Sequence, residues 1–327
     1  MLDTPALRTI EPATPVSLLG ASRIAVLVPC RNEAPTVATV IAQFRAALPT
    51  AVIYVYDNAS DDDTCAIAKG AGAVVREVGR PGKGGVVRRM FSEVEADVYV
   101  LVDGDATYDA SRAPELVTLL VENDLDMVTA VREHDDSAAY RRGHAAGNRA
   151  FNELIGMLFG DRPADAFSGY RALSRRFVKS FPMQAQRFEV ETEMTVHALE
   201  LDLPRTEVLT RYVARPAGST SKLDTWRDGA RILRYMVRLY RDTRPLAFFS
   251  LIALAFALAG LALGGSVFVE FIRTRQVPRL PSAVLATGLV TLATVSLACG
   301  FILDSVARGR LEAKRLAYLA LRTVRNS

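Results

Sequence analysis

The sequence predicts an α/β fold: a mostly parallel sheet with helices on both faces, followed by an interfacial amphipathic helix and a two-helix transmembrane hairpin. Three observations support this fold class. Short β-rich runs alternate with helix-like runs over the first hundred residues, as in sheets built from crossover units. Polar clusters follow three of the β-rich runs, where such sheets bind ligands. Two stretches near the C-terminus lack charge over the length that crosses a bilayer.

Composition narrows the class of protein. The chain has 327 residues, of which 50% are hydrophobic, and a formal net charge of +4. This charge is too small to indicate nucleic-acid binding, and no nucleic-acid partner is expected. Cys30, Cys65 and Cys299 are far apart and form no CxxC pair, so neither a disulfide framework nor a zinc site is predicted.

The N-terminal half has the clearest alternation of elements. Residues 1–22 lack the basic and apolar segments of a secretory signal, and they are expected to form a flexible tail. Strands are predicted at Ile24–Pro29, Ala51–Tyr56, Val74–Val78 and Val98–Val102. Helices are predicted at residues 34–48, through Cys65–Ala68, and at Val86–Val94, Arg141–Phe159 and Glu189–Leu201. Gly79–Gly85 is predicted to be a glycine-rich loop. A globular domain is thus expected over residues 23–222.

Two long apolar stretches follow this domain. Leu246–Val269 and Ala283–Leu303 contain 24 and 21 residues without a charge, and about 20 apolar residues cross a bilayer. The alternative, a buried helix of a soluble protein, rarely has such length. Arginines and lysines are denser outside the pair than in the linker, so both flanks are expected on the cytosolic side. Three linker arginines, Arg273, Arg275 and Arg279, oppose that orientation.

The predicted membrane segment has three parts. Residues 223–245 form a juxtamembrane helix, residues 246–304 the two spans, and residues 305–327 a basic cytosolic tail. Arginines recur on one face of the first part, at positions 227, 231, 234, 238 and 241. A basic amphipathic helix on a membrane surface has this pattern; an ordinary solvated face is the alternative. Assembly of the spans into a homo-oligomer is left open.

Asp103-Gly104-Asp105 is the sharpest chemical motif. Residues two apart in an extended chain point the same way, so both carboxylates can face one cation at the end of the fourth predicted strand. Mg²⁺ and Mn²⁺ prefer oxygen ligands and bridge to substrate phosphates. The motif therefore predicts a metal site formed by Asp103 and Asp105. A surface acidic turn is the alternative.

Two further clusters lie at equivalent places. Asp57, Asn58, Ser60 and Asp62 could hydrogen-bond a base and ribose. The alternative is that the Asp and Ser residues act as turn and helix-capping residues. The segment Gly82-Lys83-Gly84-Gly85 offers backbone amides and one ammonium to phosphates. Neither GxxxxGK[ST] nor GxGxxG is present, which argues against P-loop and nicotinamide enzymes. His134, His144 and His197 have no metal-ligand spacing.

Together these motifs resemble family 2 glycosyltransferases of the GT-A, Rossmann-like fold, especially the polyprenyl-phosphate sugar transferases. Pro29-Cys30-Arg31-Asn32-Glu33 matches the family's P-x-x-N-E, and Asp103-Gly104-Asp105 its D-x-D. The segment 57–64 resembles D-D-G-S-x-D-G-T, and Ser168-Gly169-Tyr170-Arg171 resembles S-G-[FY]-R. The resemblance covers about residues 23–245 and extends to the paired spans.

The resemblance implies roles for individual residues. Pro29, Arg31, Glu33, Asp57, Asn58, Lys83 and Asp103 would bind the nucleotide sugar. Asp103 and Asp105 would hold Mg²⁺ or Mn²⁺. Arg132, Ser168, Arg215, Ser219 and Lys222 would bind the acceptor phosphate, and Asp103, Asp105 and Arg132 would be catalytic. Thr107 replaces a common metal-binding glutamine. Arg31 and Asn58 also depart from the family pattern, which leaves base specificity open.

The implied activity is inverting transfer of a hexose from a nucleotide-diphosphate sugar to a polyprenyl phosphate of the undecaprenyl or dolichyl type. The protein would be integral to the inner or plasma membrane, with its catalytic domain and both termini in the cytoplasm. One alternative is a transferase with another lipid or polysaccharide acceptor, although the Q-x-x-R-W motif of processive synthases is absent. The other is a non-enzymatic membrane protein with a degenerate nucleotide-binding fold.

Overall fold

The structure, a computed structural model, describes residues 22–134, 142–183, 190–213 and 225–321. It divides the chain into two compact units, one of residues 1–221 with 317–327 and one of residues 222–316. The expected tail at residues 1–22 lies almost entirely outside the described residues. Arg215, Ser219 and Lys222 also lie outside them, so their expected role in acceptor binding stays a prediction.

Seven strands form one sheet in the first unit. In chain order they are β1 (Ile24–Cys30), β2 (Val52–Asp57), β3 (Val74–Glu77), β4 (Val98–Leu101), β5 (Met127–His134), β6 (Arg171–Ser174) and β7 (Arg205–Tyr212). The order across the sheet is β3-β2-β1-β4-β6-β5-β7. Only β6 runs antiparallel to its neighbours, pairing in that sense with β4 and β5. The predicted mostly parallel sheet is confirmed.

Seven α-helices connect or cover these strands. They are α1 (Val37–Ala47), α2 (Thr64–Gly70), α3 (Lys83–Glu93), α4 (Ala113–Glu122), α5 (Arg142–Phe159), α6 (Arg175–Ser180) and α7 (Val190–Glu200). Val26 and Val28 of β1 pack with Phe44 of α1 in one buried cluster. On the other face, α3 contacts β1 and α6 contacts β4. Alternate residues of a strand point to opposite faces, so the helices on the two faces together bury all of β4 and every residue of β1 except Pro29.

The glycine-rich segment differs from the prediction. A loop was expected through Gly85, but α3 already begins at Lys83. Gly82 has a φ of 146°, which a residue with a side chain rarely adopts, so the chain turns there. Val86 and Val87 are fully buried, and their burial holds the two glycines of the first turn in a helix despite their low helix propensity.

The second unit contains α8 (Thr225–Thr243) and two long helices, α9 (Pro245–Thr274) and α10 (Leu280–Leu319). Both long helices have the length and apolar composition to cross a membrane. Small residues bring them together: a Cβ on Gly260 would meet Val290 at 3.0 Å, and one on Gly300 would meet Phe249 at 3.1 Å. α10 extends well past Leu303, so part of the expected basic tail is helical.

Candidate active site

The polar clusters meet because of the strand order. The carboxyl ends of parallel strands share one edge of a sheet, and β6 begins at that edge because it runs the opposite way. Leu101, at the end of β4, pairs with Arg171, at the start of β6. The Asp103–Asp105 loop and the Ser168–Tyr170 segment are therefore neighbours, although more than 60 residues separate them in sequence.

Asp103 and Asp105 have different surroundings. The Asp103 side chain is 28% exposed, whereas Asp105 is buried. Thr107 donates to Asp105 Oδ1 with its hydroxyl at 2.6 Å and its backbone amide at 3.2 Å. Thr107 occupies the position at which the family pattern often has a glutamine. Here it fixes the orientation of the Asp105 carboxylate.

Lys83 joins Asp103 to a third carboxylate. Its ammonium forms ion pairs with both Asp103 and Glu191, and all three side chains are largely buried. Burial by itself lowers the pKa of Lys83, but the two carboxylates raise it well above the ordinary value. Burial raises the pKa of Glu191, and the Lys83 charge opposes that rise. Lys83 therefore stays charged at the edge of the sheet.

Glu191 was not predicted from the sequence. It lies in the first turn of α7, where every residue from Val190 to Ala198 is buried. A helix buried on all sides has no polar face, so periodicity cannot separate a functional acid from the core. The available signal was two acidic residues, Glu191 and Glu193, within a predicted helix that carries several apolar residues. Acidic side chains are almost never fully buried unless they have a partner.

Gly169 allows the two motifs to approach each other. A Cβ at this position would lie 2.9 Å from Asp103 Cγ and closer still to one carboxylate oxygen. The backbone amide of Gly169 donates to the hydroxyl of Tyr108 at 2.9 Å. Arg171 is fully buried and donates to the carbonyl oxygens of Ala166 and Ser168, each at 3.0 Å. This motif thus shapes the loop beside Asp103.

We expect Gly169→Ala to lower transferase activity about 100-fold, because a displacement of about 1 Å at a reacting group has that effect. The added methyl group would displace the end of a flexible carboxylate, so the free energy of unfolding should fall by only about 1 kcal/mol. Activity and denaturant unfolding of the purified chain check both values. Gly70→Ala is the control, because nothing lies within 4 Å of its added Cβ. Equal activity in the two variants would contradict the contact with Asp103.

Arg132 forms a buried bidentate ion pair with Asp165. Its Nε lies 2.6 Å from Asp165 Oδ2, and its Nη2 lies 2.9 Å from Asp165 Oδ1. The guanidinium carbon also lies 5.4 Å from the ring centre of Tyr212. Burial opposes both charges, but the hydrogen bonds lower the pKa of Asp165 and raise that of Arg132. Asp165, also missed from the sequence, therefore sets the direction of Arg132.

Asp165→Asn should lower the free energy of unfolding by roughly 3 kcal/mol, because it leaves a buried guanidinium unpaired. The depressed pKa of Asp165 adds stability above the unfolded-state pKa of about 4, and this stability is lost as pH falls through the folded pKa. The difference from the native chain should therefore be constant above about pH 5 and shrink below about pH 4. Denaturant unfolding of both chains in detergent across this pH range measures the difference in stability.

The matched control for that variant is Asp161→Asn. Asp161 pairs with Arg205, but its side chain is 64% exposed, so its loss should change stability by less than about 1 kcal/mol. Equal, small changes in both variants would show that the Arg132–Asp165 pair does not stabilise the domain.

Ser168 lies beside this pair but is fully buried. Its hydroxyl donates to the Ala130 carbonyl oxygen at 2.5 Å and accepts from the Tyr170 amide at 3.3 Å. The side chain thus ties the loop to β5. Its expected contact with an acceptor phosphate stays a prediction, because that contact requires the Ala130 hydrogen bond to be exchanged.

The loops after β1 and β2 form a connected wall of the site. Asn32 donates its amide to the Ser60 hydroxyl at 2.8 Å, and Glu33 donates its amide to the Thr64 hydroxyl at 2.9 Å. The Thr36 hydroxyl donates to the Gly104 carbonyl oxygen at 2.7 Å. Hydrogen bonds therefore link the segment that follows β1 to both the β2 loop and the Asp103–Asp105 loop.

Several predicted nucleotide residues lie along this wall. Glu33, Asp57 and Asn58 are buried, and Pro29 and Arg31 are half-buried. The Asp57 carboxylate accepts from the Ser60 amide at 2.9 Å, and Asn58 Oδ1 accepts from the Gly82 amide at 2.9 Å. Asp57 thus has the turn-forming role foreseen as the alternative, and Asn58 joins the loop after β2 to the residue before α3. Their contact with a nucleotide stays a prediction.

The donor set suits a hard divalent cation. Asp103 and Asp105 supply carboxylate oxygens, which Mg²⁺ and Mn²⁺ prefer. No group of three or more His, Cys, Asp or Glu residues that could hold a metal occurs in the described part of the chain. Mg²⁺ is commonly held by one or two carboxylates together with water and substrate phosphates. The residues fit a metal that binds together with an anionic substrate.

Comparison with known proteins identifies the family of the chain. Residues 25–181 match the model of glycosyl transferase family 2. Glycosyltransferase AglJ of Haloferax volcanii is 31% identical over 299 residues, or 90% of this chain and 98% of the relative. A dolichyl-phosphate hexose transferase of the same organism is 28% identical over 221 residues, or 68% of this chain and 95% of the relative.

A solved structure agrees with the fold. Glucosyl-3-phosphoglycerate synthase of Mycobacterium tuberculosis, crystallised with Mn²⁺, uridine diphosphate and glucosyl-3-phosphoglycerate, superposes with a TM-score of 0.54. The match covers 68% of this chain and 80% of that chain at 23% identity. One explanation accounts for the strand order, for the motifs at one edge of the sheet and for the nearly full-length match to a named glycosyltransferase. The chain is a glycosyltransferase and belongs to glycosyl transferase family 2.

Proposed function

We propose that the protein transfers a hexose from a nucleotide-diphosphate sugar to a polyprenyl phosphate of the undecaprenyl or dolichyl type, at the cytosolic face of the inner or plasma membrane. The main support for the proposal is that an acidic group, formed by Asp103 and Asp105, and a cationic residue, Arg132, lie at the same edge of the sheet. The Tyr108 hydroxyl accepts a hydrogen bond from the Gly169 amide, beside Asp103, and the Tyr108 ring lies 5.2 Å from the ring of Tyr212, which Arg132 contacts. A donor diphosphate and an anionic acceptor could therefore bind side by side.

The donor side consists of the acidic loop and the wall beside it. Asp103 and Asp105 would hold Mg²⁺ or Mn²⁺, which, when bound, would neutralise charge on the departing diphosphate. The amides at the start of α3 would bind phosphate oxygens, as helix N-termini do. Pro29, Arg31, Glu33, Asp57 and Asn58 would contact the nucleotide. The solved relative was crystallised with Mn²⁺ and uridine diphosphate, which supports this assignment.

The acceptor side centres on Arg132. Asp165 engages Nε and Nη2 of its guanidinium, so Nη1 is the nitrogen with which Arg132 would contact a phosphate. A phosphate monoester has its second pKa near 6, so its oxygen is an anionic nucleophile at neutral pH without a strong general base. The protein must then hold two anions in line, and a fixed cation reduces their repulsion. In-line attack would invert the anomeric centre.

The second unit supports the proposal that the acceptor is a lipid. α9 and α10 have the length and composition of spanning helices, and the basic flanks favour a cytosolic catalytic domain and termini. Exposed apolar residues on α8, Leu233 and Val237, suit a helix on a membrane surface. One relative is a dolichyl-phosphate hexose transferase. An enzyme held at a bilayer would meet a lipid acceptor there.

A donor screen tests the proposal. Purified full-length chain in detergent is incubated with undecaprenyl phosphate, Mg²⁺ or Mn²⁺, and radiolabelled UDP- or GDP-sugars in turn, and is then extracted with organic solvent. The expected result is label from one donor in a lipid that mild acid cleaves. Bound donor with no lipid label for any sugar would contradict the acceptor assignment and favour a transferase with another acceptor.

A further inference from the structure

A cleft of about 430 Å³ lies where α8, α9 and α10 meet, within the second unit. α8 ends at Thr243 and α9 begins at Pro245, and the backbone of Arg244 between them is not helical. α10 passes this bend, where Arg310 donates to the carbonyl oxygen of Asp242 at 3.1 Å. The bend leaves a recess beside α10.

The walls of the cleft change from charged to apolar. The lining includes the charged residues Arg241, Asp242 and Arg310 and the apolar residues Phe249, Leu303 and Val306. Along α10 the two apolar residues precede Arg310, and across the bend the two charged residues precede Phe249. The charged residues lie just outside the charge-free stretches at residues 246–269 and 283–303, and the apolar residues lie within or beside those stretches. A ligand with an anionic head and an apolar tail matches this order.

The charged end has an excess of positive charge. Asp242 forms ion pairs with Arg241 at 2.8 Å and with Arg238 at 3.7 Å, and Arg310 contacts its backbone. The Asp242 carboxylate therefore pairs with two guanidinium groups, and a third guanidinium group bonds the backbone carbonyl oxygen of the same residue. The Arg241 side chain remains 45% exposed. Guanidinium groups keep their charge and match the geometry of phosphate oxygens, so this end suits a phosphate.

We propose that the cleft binds an anionic phospholipid, with its phosphate on Arg241 and Arg310 and an acyl chain along Phe249, Leu303 and Val306. The inference rests on the proposed membrane location of the hairpin. A phospholipid is the occupant because the bilayer supplies this class continuously at the depth of the cleft. Basic residues beside a spanning helix attract anionic lipids in the same way. The bound lipid would fill the recess and hold the bend between α8 and α9.

Lipid titration of the full-length chain in detergent tests the site. Thermal unfolding is followed while phosphatidylglycerol or phosphatidylcholine is added, since a ligand of the folded state raises the unfolding temperature. The native chain should bind phosphatidylglycerol more tightly. Arg310→Gln and Arg241→Gln should each weaken that binding about tenfold, as loss of one charge-assisted hydrogen bond predicts. Arg241→Gln leaves the hydrogen bond between Arg310 and Asp242 in place. This variant therefore distinguishes a loss of lipid binding from a loss of helix packing at the bend.

Arg308→Gln is the matched control. It removes the same charge from the same turn of α10, but Arg308 pairs with Asp304 and does not line the cleft. Equal stabilisation by the two lipids, or equal loss in all three variants, would overturn the proposal. A rise in KM for polyprenyl phosphate in the cleft variants, with phosphatidylglycerol binding unchanged, would assign the cleft to the acceptor instead.

The titration requires no nucleotide sugar, so its failure and a failure of transfer are separate results. The membrane location has its own readout: alkaline carbonate should leave the native chain in the membrane pellet. Release of the chain by carbonate would overturn the membrane location and, with it, this site.

Discussion

Asp105→Asn should reduce sugar transfer by about 1,000-fold or more, because loss of a group that stabilises charge in the transition state has effects of that order. Asparagine keeps the size of the side chain and can still accept the hydrogen bond from Thr107. The protein should therefore fold with nearly native stability. What is lost is one negative charge among the expected ligands of the divalent cation, which weakens metal binding directly.

The measurement is the rate of transfer at saturating donor and at increasing Mn²⁺, together with Mn²⁺ binding in the presence of nucleotide. Asp202→Asn is the matched control. It is an exposed residue with a φ of 53°, a backbone conformation that asparagine also tolerates. If Asp105→Asn retained full activity without any change in metal dependence, Asp105 would not be a metal ligand.

Lys83→Met should lower both activity and stability. The ammonium pairs with the buried carboxylate of Glu191 and the partly buried carboxylate of Asp103, and its removal leaves them without a cation between them. Breaking a buried pair in this way lowers the free energy of unfolding by about 3–5 kcal/mol. Activity should fall at least about 100-fold, because the orientation of Asp103 is no longer fixed.

A second substitution separates these two effects. Adding Glu191→Gln to Lys83→Met removes one of the two opposed charges, so most of the lost stability should return. Activity should stay low, because Lys83 is still absent from the donor side. Denaturant unfolding and initial rates for the two single variants and the double variant complete the cycle. Native activity in the double variant would show that Lys83 has no part in the reaction.

The parallel strands β1 to β4 could be predicted from the sequence, whereas β5 and β7, which also pair in parallel, were not. β1 and β4 are runs of β-branched and apolar residues buried on both faces, which produces a continuous apolar pattern. The polar clusters after β1, β2 and β4 could then be assigned to one edge. The four-residue strand β6 could not be found in this way. Its residues, Arg-Ala-Leu-Ser, include no β-branched residue, and its antiparallel direction depends on pairing with β4 and β5.

Two residues of the site were also not predicted from the sequence. Glu191 and Asp165 belong to no motif considered, and each is identified only by the cation it meets, Lys83 or Arg132. A buried charge is stable only where another segment of the chain supplies an opposite charge. Such pairs therefore depend on the tertiary structure. The early start of α3 has a similar origin. Burial of Val86 and Val87 outweighed the low helix propensity of the glycines before them.

Acceptor choice is the most direct test of the central claim, that the enzyme glycosylates a lipid phosphate. With the active donor fixed, the purified chain is given undecaprenyl phosphate, undecaprenol without its phosphate, or 3-phosphoglycerate, in native form and as Arg132→Gln. We expect sugar to reach undecaprenyl phosphate alone, at a rate that falls at least about 100-fold in the variant. Transfer to undecaprenol or to 3-phosphoglycerate at the same rate would contradict the account.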